Sequence, residues 1–194
     1  MKKSAGNSFS WLRLPKAPRF AEDVRRLHAE SRKRLGYVRT FLLLPFAPGR
    51  LALYQGYLDR LMRSDDARLP GLERELLALV VSVENRCEPC VLSHATALRS
   101  HGMDPLLVDS ITIGWRRADL TPRQRALAEF AQKLTTQPAD AEEPWIAALR
   151  KAGLDEEQIF EAAQIVAIYN SNNRLNNAVG LHPNREARLK YRIG

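Results

Sequence analysis

The two cysteines of this chain lie two residues apart, and a histidine follows the second by four, in ENRCEPCVLSH, residues 84–94. On a helix Cys87, Cys90 and His94 stand at i, i+3 and i+7 and share one face. Thiols at a helix start face unpaired backbone N–H groups and the positive end of the helix dipole, which stabilise a thiolate. A free thiol titrates near about 8.5, and helix N-terminal CxxC cysteines fall well below that. The imidazole one turn beyond Cys90 is within reach for proton exchange. Three chemistries are open: a redox dithiol, part of a zinc site, or two inert buried thiols. Structural zinc wants four ligands; this trio supplies three, and no second CxxC or HxxxH completes it. His101 stands seven residues past His94, but a Cys2His2 set on one helix makes a poor tetrahedron. Arg86, Glu88 and Pro89 make the turn exposed and polar, which speaks against inert buried thiols. Redox use is the favoured reading. A thioredoxin fold is disfavoured, because CxxC there follows a strand in a β-rich context that this chain lacks.

Glu75 is the candidate fourth member. It interrupts the stripe Leu72, Glu75, Leu76, Leu79, Val80, Val83 as its only carboxylate. Held among those apolar neighbours, its pKa would be raised by desolvation and it would accept a proton near neutral pH. Turned to water, it would serve only as an acidic residue near a helix start. The pattern leaves both open.

Helices must position these groups. LPGLERELLALVVSVEN has glutamates in its first turn and apolar residues behind, and Asn85 ends it. Pro89 then suits the opening turn of the next helix, with Cys87 at or just before its start and Cys90 in its first turn. The stretch between Pro18 and Arg39 suits a charged helix, and LALYQGYLDRLM spaces Leu51, Tyr54, Leu58 and Leu61 helically. HGMDP reads as a glycine stop, then Asp104 as a cap with Pro105 behind it. Thr121-Pro122 repeats that start signal. Gly153 ends another helix, and Asp155 caps its successor with Gln158 three residues on and Leu154 and Ile159 as a hydrophobic staple. No convincing hairpin is present. The expected architecture is an all-α bundle of about eight helices. A faint internal echo, LPGLERELLALVVS (69–82) against LTPRQRALAEFAQK (120–133), suggests two related halves. Ala126 stands where the first copy has Glu75, so one half alone would carry chemistry.

The 194 residues suffice for one domain with a real core or two small packed halves. With 45% apolar and 27% charged residues, the composition is that of an ordinary globular protein. No apolar run approaches the ~20 residues of a membrane helix. The start has no apolar segment behind its basic residues, so a secretory signal is not expected, and Glu22, Asp23 and Glu30 argue against an organellar presequence. Two cysteines make no secreted disulfide scaffold, so a reducing cytoplasm is the default. Charge is uneven: residues 1–50 hold 12 Lys/Arg and 3 Asp/Glu, and the remainder is nearly neutral. The chain is expected to divide into a basic arm or strap, 1–40, and a helical domain, 41–194, with a CxxC half over about 41–114 and a second half over about 115–182. The arm carries no recognised nucleic-acid motif. A solvated helix face, or a strap packed on a neighbouring subunit, is favoured over phosphate binding.

Glu75, eleven residues, then Cys87-x-x-Cys90-x-x-x-His94 resembles the AhpD-like proteins of the carboxymuconolactone decarboxylase superfamily, in the peroxidase-related branch. The resemblance extends through LTPRQRALAEFAQKLT and AGLDEEQIFEAAQIVAIYNSNNRLNNAVG, including the stretch from Tyr169 to Leu175, and covers roughly residues 40–182. It implies an all-α fold of two related halves assembled as trimers or hexamers, and thiol-dependent reduction of hydroperoxides. In that scheme Cys90 attacks the O–O bond and Cys87 resolves the sulfenic acid as a disulfide. Glu75 and His94 form the proton relay. No metal, haem or flavin is implied, and a lipoyl-type or thioredoxin-like donor would reduce the disulfide. Some members place a histidine directly before the second cysteine; here Pro89 stands there, which puts protonation of the resolving thiol by that route in doubt. The second reading is a redox-sensing or structural helical oligomer with a regulatory disulfide and little turnover.

Other polar and aromatic residues are expected to be structural. In NSNNRLNN, with the preceding Tyr169, the residues Tyr169, Asn173 and Arg174 are expected to bond between helices. His28, His101 and His182 suit surface or capping roles. Trp115 and Trp145 suit packing, and Trp11 is a candidate anchor of the strap on a neighbour.

Overall fold

Helix starts fall where the capping residues stand. Thr121 and Asp155 each close a capping box, with Gln124 N donating to Thr121 Oγ1 at 3.2 Å and Gln158 N donating to Asp155 Oδ1 at 2.8 Å. Asp104 accepts from Leu106 N at 3.0 Å. Leu154 and Ile159 are both buried, as a hydrophobic staple requires. The computed structural model describes residues 9–189, and among these the chain is all-α. The helices are α1 Glu22–Leu35, α2 Pro48–Arg63, α3 Gly71–Glu84, α4 Glu88–Ser100, α5 Pro105–Gly114, α6 Pro122–Thr136, α7 Glu143–Lys151, α8 Glu156–Ala178 and α9 Arg185–Leu189. Short 3-10 turns cover Thr40–Leu43, Trp115–Arg117 and Pro138–Asp140. The five-residue α9 and the 3-10 turns are too short to carry a strong periodic signal in the sequence.

The central element is α3, packed against α4, α6 and α8. Leu76, Leu77, Ala78, Leu79, Val80 and Val81 are all fully buried on it, so the helix is enclosed nearly all round. Each buried leucine contributes about 2 kcal/mol of apolar burial. Two carboxylates fix its N-terminal end. Arg123 of α6 grips Glu73 through two bonds, Nε to Oε1 at 2.7 Å and a second guanidinium nitrogen to Oε2 at 3.1 Å. Glu161 of α8 accepts the backbone N–H groups of Arg68 and Leu69 at 2.7 and 3.1 Å. The two echoing segments therefore lie on helices in mutual contact, and Ala126 packs against the core.

The described part of the basic arm folds onto its own chain. α1 packs on α2, and Val24, Val38, Leu42 and Leu51 form a second small core beneath it. His28 was expected at the surface or as a cap. It is buried instead, donating from Nε2 to the Leu42 carbonyl at 2.7 Å beside the Phe20 ring. Residues 9–11 cross the start of the C-terminal segment, with Trp11 N bonded to Val179 O and Phe9 O accepting from His182 N. Gly180, at φ 57, leaves room for Trp11: a Cβ there would meet the indole at 2.0 Å. Trp11 thus touches its own chain at Gly180 while 74% exposed. Trp115 and Trp145 are buried in the main core. Among the described residues no helix is long and apolar enough to cross a membrane.

Candidate active site

The turn that carries the cysteines is built by local geometry and bolted to α8. α3 ends at Asn85, and Arg86 adopts a left-handed φ of 52, which costs a residue with a Cβ about 1 kcal/mol. Arg86 N bonds back to Val83 O and Cys87 N to Ser82 O, both at 3.0 Å. From α8, Asn177 Nδ2 donates to the Asn85 carbonyl at 2.9 Å, and Asn170 Oδ1 accepts from Asn85 Nδ2 at 2.9 Å. Cys87 becomes the N-cap of α4, with Pro89 in the first turn, as the sequence predicts.

Cys87 and Cys90 are joined as a disulfide, with Cα atoms 5.3 Å apart. Arg86 and Glu88 are exposed, but the polar turn does not extend to the thiols. Cys87 is 0% and Cys90 4% exposed, because the sulfurs point beneath α8 while their neighbours point out. Asn176 Nδ2 approaches Cys90 Sγ at 3.2 Å and Cys87 Sγ at 4.0 Å.

Glu75 faces inward. It is buried, and its Oε2 accepts from His94 Nδ1 at 2.7 Å. Nδ1 donates to the carboxylate, which leaves Nε2 free of that bond. The Tyr169 ring meets the imidazole edge-on, centroids 4.4 Å apart. Burial pushes the Tyr169 hydroxyl well above the ordinary phenol value; the Glu75 charge adds to this, while Arg63 and Arg39 oppose it. That phenol stays neutral and a donor.

Cys90, His94, Tyr169, Asn172 and Asn176 line a cavity of about 70 Å3. The lining also takes in Tyr37, Arg39 and Phe41 from the segment after α1 and Leu181, Pro183 and Asn184 from the segment after α8. Cys87 lies behind Cys90. The structure therefore brings together all four residues singled out in the sequence. His101 does not join them; it caps the far end of α4, its ring against Gly71. Among the described residues no group of three or more His, Cys, Asp or Glu is placed to hold a metal ion.

Asn176, Arg39 and Arg63 were missed. Tyr169, Asn172, Asn173 and Asn176 stand at i, i+3, i+4 and i+7, one helical face, and that spacing was the available signal for Asn176. Asn173 bonds to Ser82 of α3 as an interhelical residue should, but Arg174 donates to Asn170 of its own helix, one turn back. Tyr169 packs on the site itself.

The sequence model of the carboxymuconolactone decarboxylase family matches twice, over residues 48–111 and 111–181, and the chain belongs to that family. No curated protein matches it in sequence. Among solved structures it is similar to an uncharacterized peroxidase-related protein from Silicibacter sp. TM1040, at 29% identity and TM-score 0.89, covering 98% of this chain and 100% of that one. It is similar as well to an alkylhydroperoxidase AhpD core, an uncharacterized peroxidase-related protein from Ralstonia eutropha JMP134, at 31% identity and TM-score 0.89, covering 97% and 99%. The fold alone is shared with a cysteine-to-alanine variant of the debrominase Bmp8 in complex with 2,3,4-tribromopyrrole, at 19% identity and TM-score 0.73, covering 88% and 90%. The chain thus has the AhpD-like all-helical fold.

Proposed function

We propose that the protein reduces hydroperoxides with thiol electrons through Cys87 and Cys90. One observation carries this reading: Cys90 faces a cavity that it shares with the Glu75-bound His94, while Cys87 lies completely buried behind it. In the reduced protein His94 takes the Cys90 proton, and the thiolate attacks the terminal oxygen of the hydroperoxide. The O–O bond breaks, Cys90 becomes a sulfenic acid, and the alkoxide takes the proton from His94 to leave as the alcohol. Cys87 then attacks the Cys90 sulfur, the S–S bond forms, and water leaves. A dithiol donor returns the pair to thiols and is itself oxidised to a disulfide. Glu75 orients the imidazole and stabilises its protonated form.

The peroxidase-related relatives at 29% and 31% identity support this assignment. A lipoyl-type or thioredoxin-like donor, a reducing compartment such as the cytoplasm and a homo-oligomer complete the proposal. Steady-state consumption of cumene hydroperoxide with dihydrolipoamide as donor tests it. The wild type turns over and Cys90→Ser does not; undiminished turnover in Cys90→Ser removes the assignment.

One observation favours a second reading. Both sulfurs are nearly inaccessible, so a protein donor meets a buried disulfide. If peroxide oxidises the dithiol once but neither small nor protein dithiols sustain turnover, the pair is a regulatory disulfide.

A further inference from the structure

The lining of the dithiol cavity contains a guanidinium that the reaction above does not use. Arg39 lines the cavity, and its one described side-chain hydrogen bond goes to the neutral amide of Gln55, Oε1 at 2.7 Å. Among the described residues it forms no ion pair, and its Nε is buried without a partner. Arg39 is half-buried with its Nε enclosed, and a charge held this way is ordinarily paired. The neighbouring negative groups are engaged elsewhere: Glu75 holds His94, and Asp59 holds Arg63 and the Gln55 amide. Burial, then the charge of Arg34, holds the Arg39 guanidinium below its usual value, and Tyr169, Tyr37 and the Glu75 charge offset only part of this. An anion would relieve both costs.

The position of Arg39 is fixed in advance. Ser31 Oγ accepts from Arg39 N at 3.2 Å and donates to Tyr37 O at 2.9 Å. Asn184 then bridges the next peptides, accepting from Thr40 N at 3.0 Å and donating to Val38 O at 2.9 Å. This segment precedes residue 48, where the match to the family model begins. Arg39, Gln55 and Arg63 also border an outer groove of about 480 Å3, whose walls mix Leu27 and Leu42 with Glu30, Lys33, Arg34 and Asp59. Within the inner cavity, Asn176 is 4% exposed and its Oδ1 has no described partner, although its Nδ2 holds the Cys90 sulfur. A hydroperoxide offers the O–H donor that this oxygen lacks.

We propose that Arg39, with Arg63 beside it, is an anion subsite, and that the substrates are hydroperoxides bearing a carboxylate. The peroxide group lies against Cys90 and Asn176 and the carboxylate against the guanidinium wall, with the apolar body between them. This rests on the hydroperoxide reading above and names its substrate class.

The test uses cumene hydroperoxide carrying a para-carboxylate, and the methyl ester of the same compound. In the wild type kcat/KM favours the acid by about tenfold or more, the discrimination expected of a charge-assisted hydrogen bond. The acid-to-ester ratio falls toward one in Arg39→Gln and is partly restored in Arg39→Lys. A ratio near one in the wild type, or a ratio unchanged in Arg39→Gln, overturns the subsite while leaving the peroxidase intact. If neither compound is consumed, the hydroperoxide reading fails, and the subsite is read without turnover. 4-Isopropylbenzoate should then slow iodoacetamide alkylation of reduced Cys90 in the wild type, and its methyl ester should not. Equal protection by acid and ester, or none by either, overturns the inference with no variant needed.

Discussion

Asn176 Nδ2 lies 3.2 Å from Cys90 Sγ, reaching from the last turns of α8 to the first turn of α4. An N–H aimed at sulfur favours the thiolate over the thiol. In the reduced protein Asn176→Leu should raise the Cys90 thiol pKa by about one unit, close to the worth of one such bond. The alkylation rate of Cys90 against pH measures it. An unshifted profile would make the contact structural.

Glu75 and His94 make the second prediction. Glu75→Gln keeps the shape of the side chain and removes the charge that stabilises the imidazolium. Peroxide consumption should fall by about 10²-fold or more, the usual worth of a general acid–base group. The Cys90 alkylation profile should move to higher pH. An undiminished rate would show that the thiolate forms without the pair.

Tyr54 tests the wall between α2 and the core. Its hydroxyl is buried without a described partner, and burial pushes its pKa from 10.0 to about 12. A phenol with a raised folded pKa contributes its full stability below pH 10 and loses it progressively between 10 and 12, because the unfolded chain ionises first. Tyr54→Phe should flatten that alkaline decline and add about 1 kcal/mol at neutral pH by removing an orphaned hydroxyl. Denaturant midpoints at neutral and alkaline pH measure both effects.

Much of this was legible in the residues, for physical reasons that differ between elements. Thr121, Asp155 and Asp104 announce helix starts because a side-chain acceptor before an N-terminus satisfies backbone donors locally. Cys87, Cys90 and His94 share a face because helical spacing alone puts them there. Glu75 could not be placed: its stripe is mixed, and only the imidazole brought by α4 decides that it turns inward. Arg39 was illegible for the same reason. It belongs to a basic arm that by composition is a solvated strap, and only Ser31 and Asn184, 8 residues before it and 144 beyond Thr40 in sequence separation, turn it to the cavity. The burial of the sulfurs escaped because Arg86 and Glu88 are exposed while the residues between and after them are not. Asn176 was one asparagine in a polar run until Cys90 fell beneath it.

The central claim is that Cys90 is the sulfur that meets peroxide and Cys87 the one that resolves it. Reduced Cys87→Ser, given one equivalent of hydroperoxide and then dimedone, tests it most directly by peptide mass spectrometry. The account predicts a dimedone adduct on Cys90, one alcohol formed per chain, and no adduct or peroxide loss in Cys90→Ser. An adduct on Cys87 in Cys90→Ser, with peroxide consumed as fast as by the wild type, would contradict it.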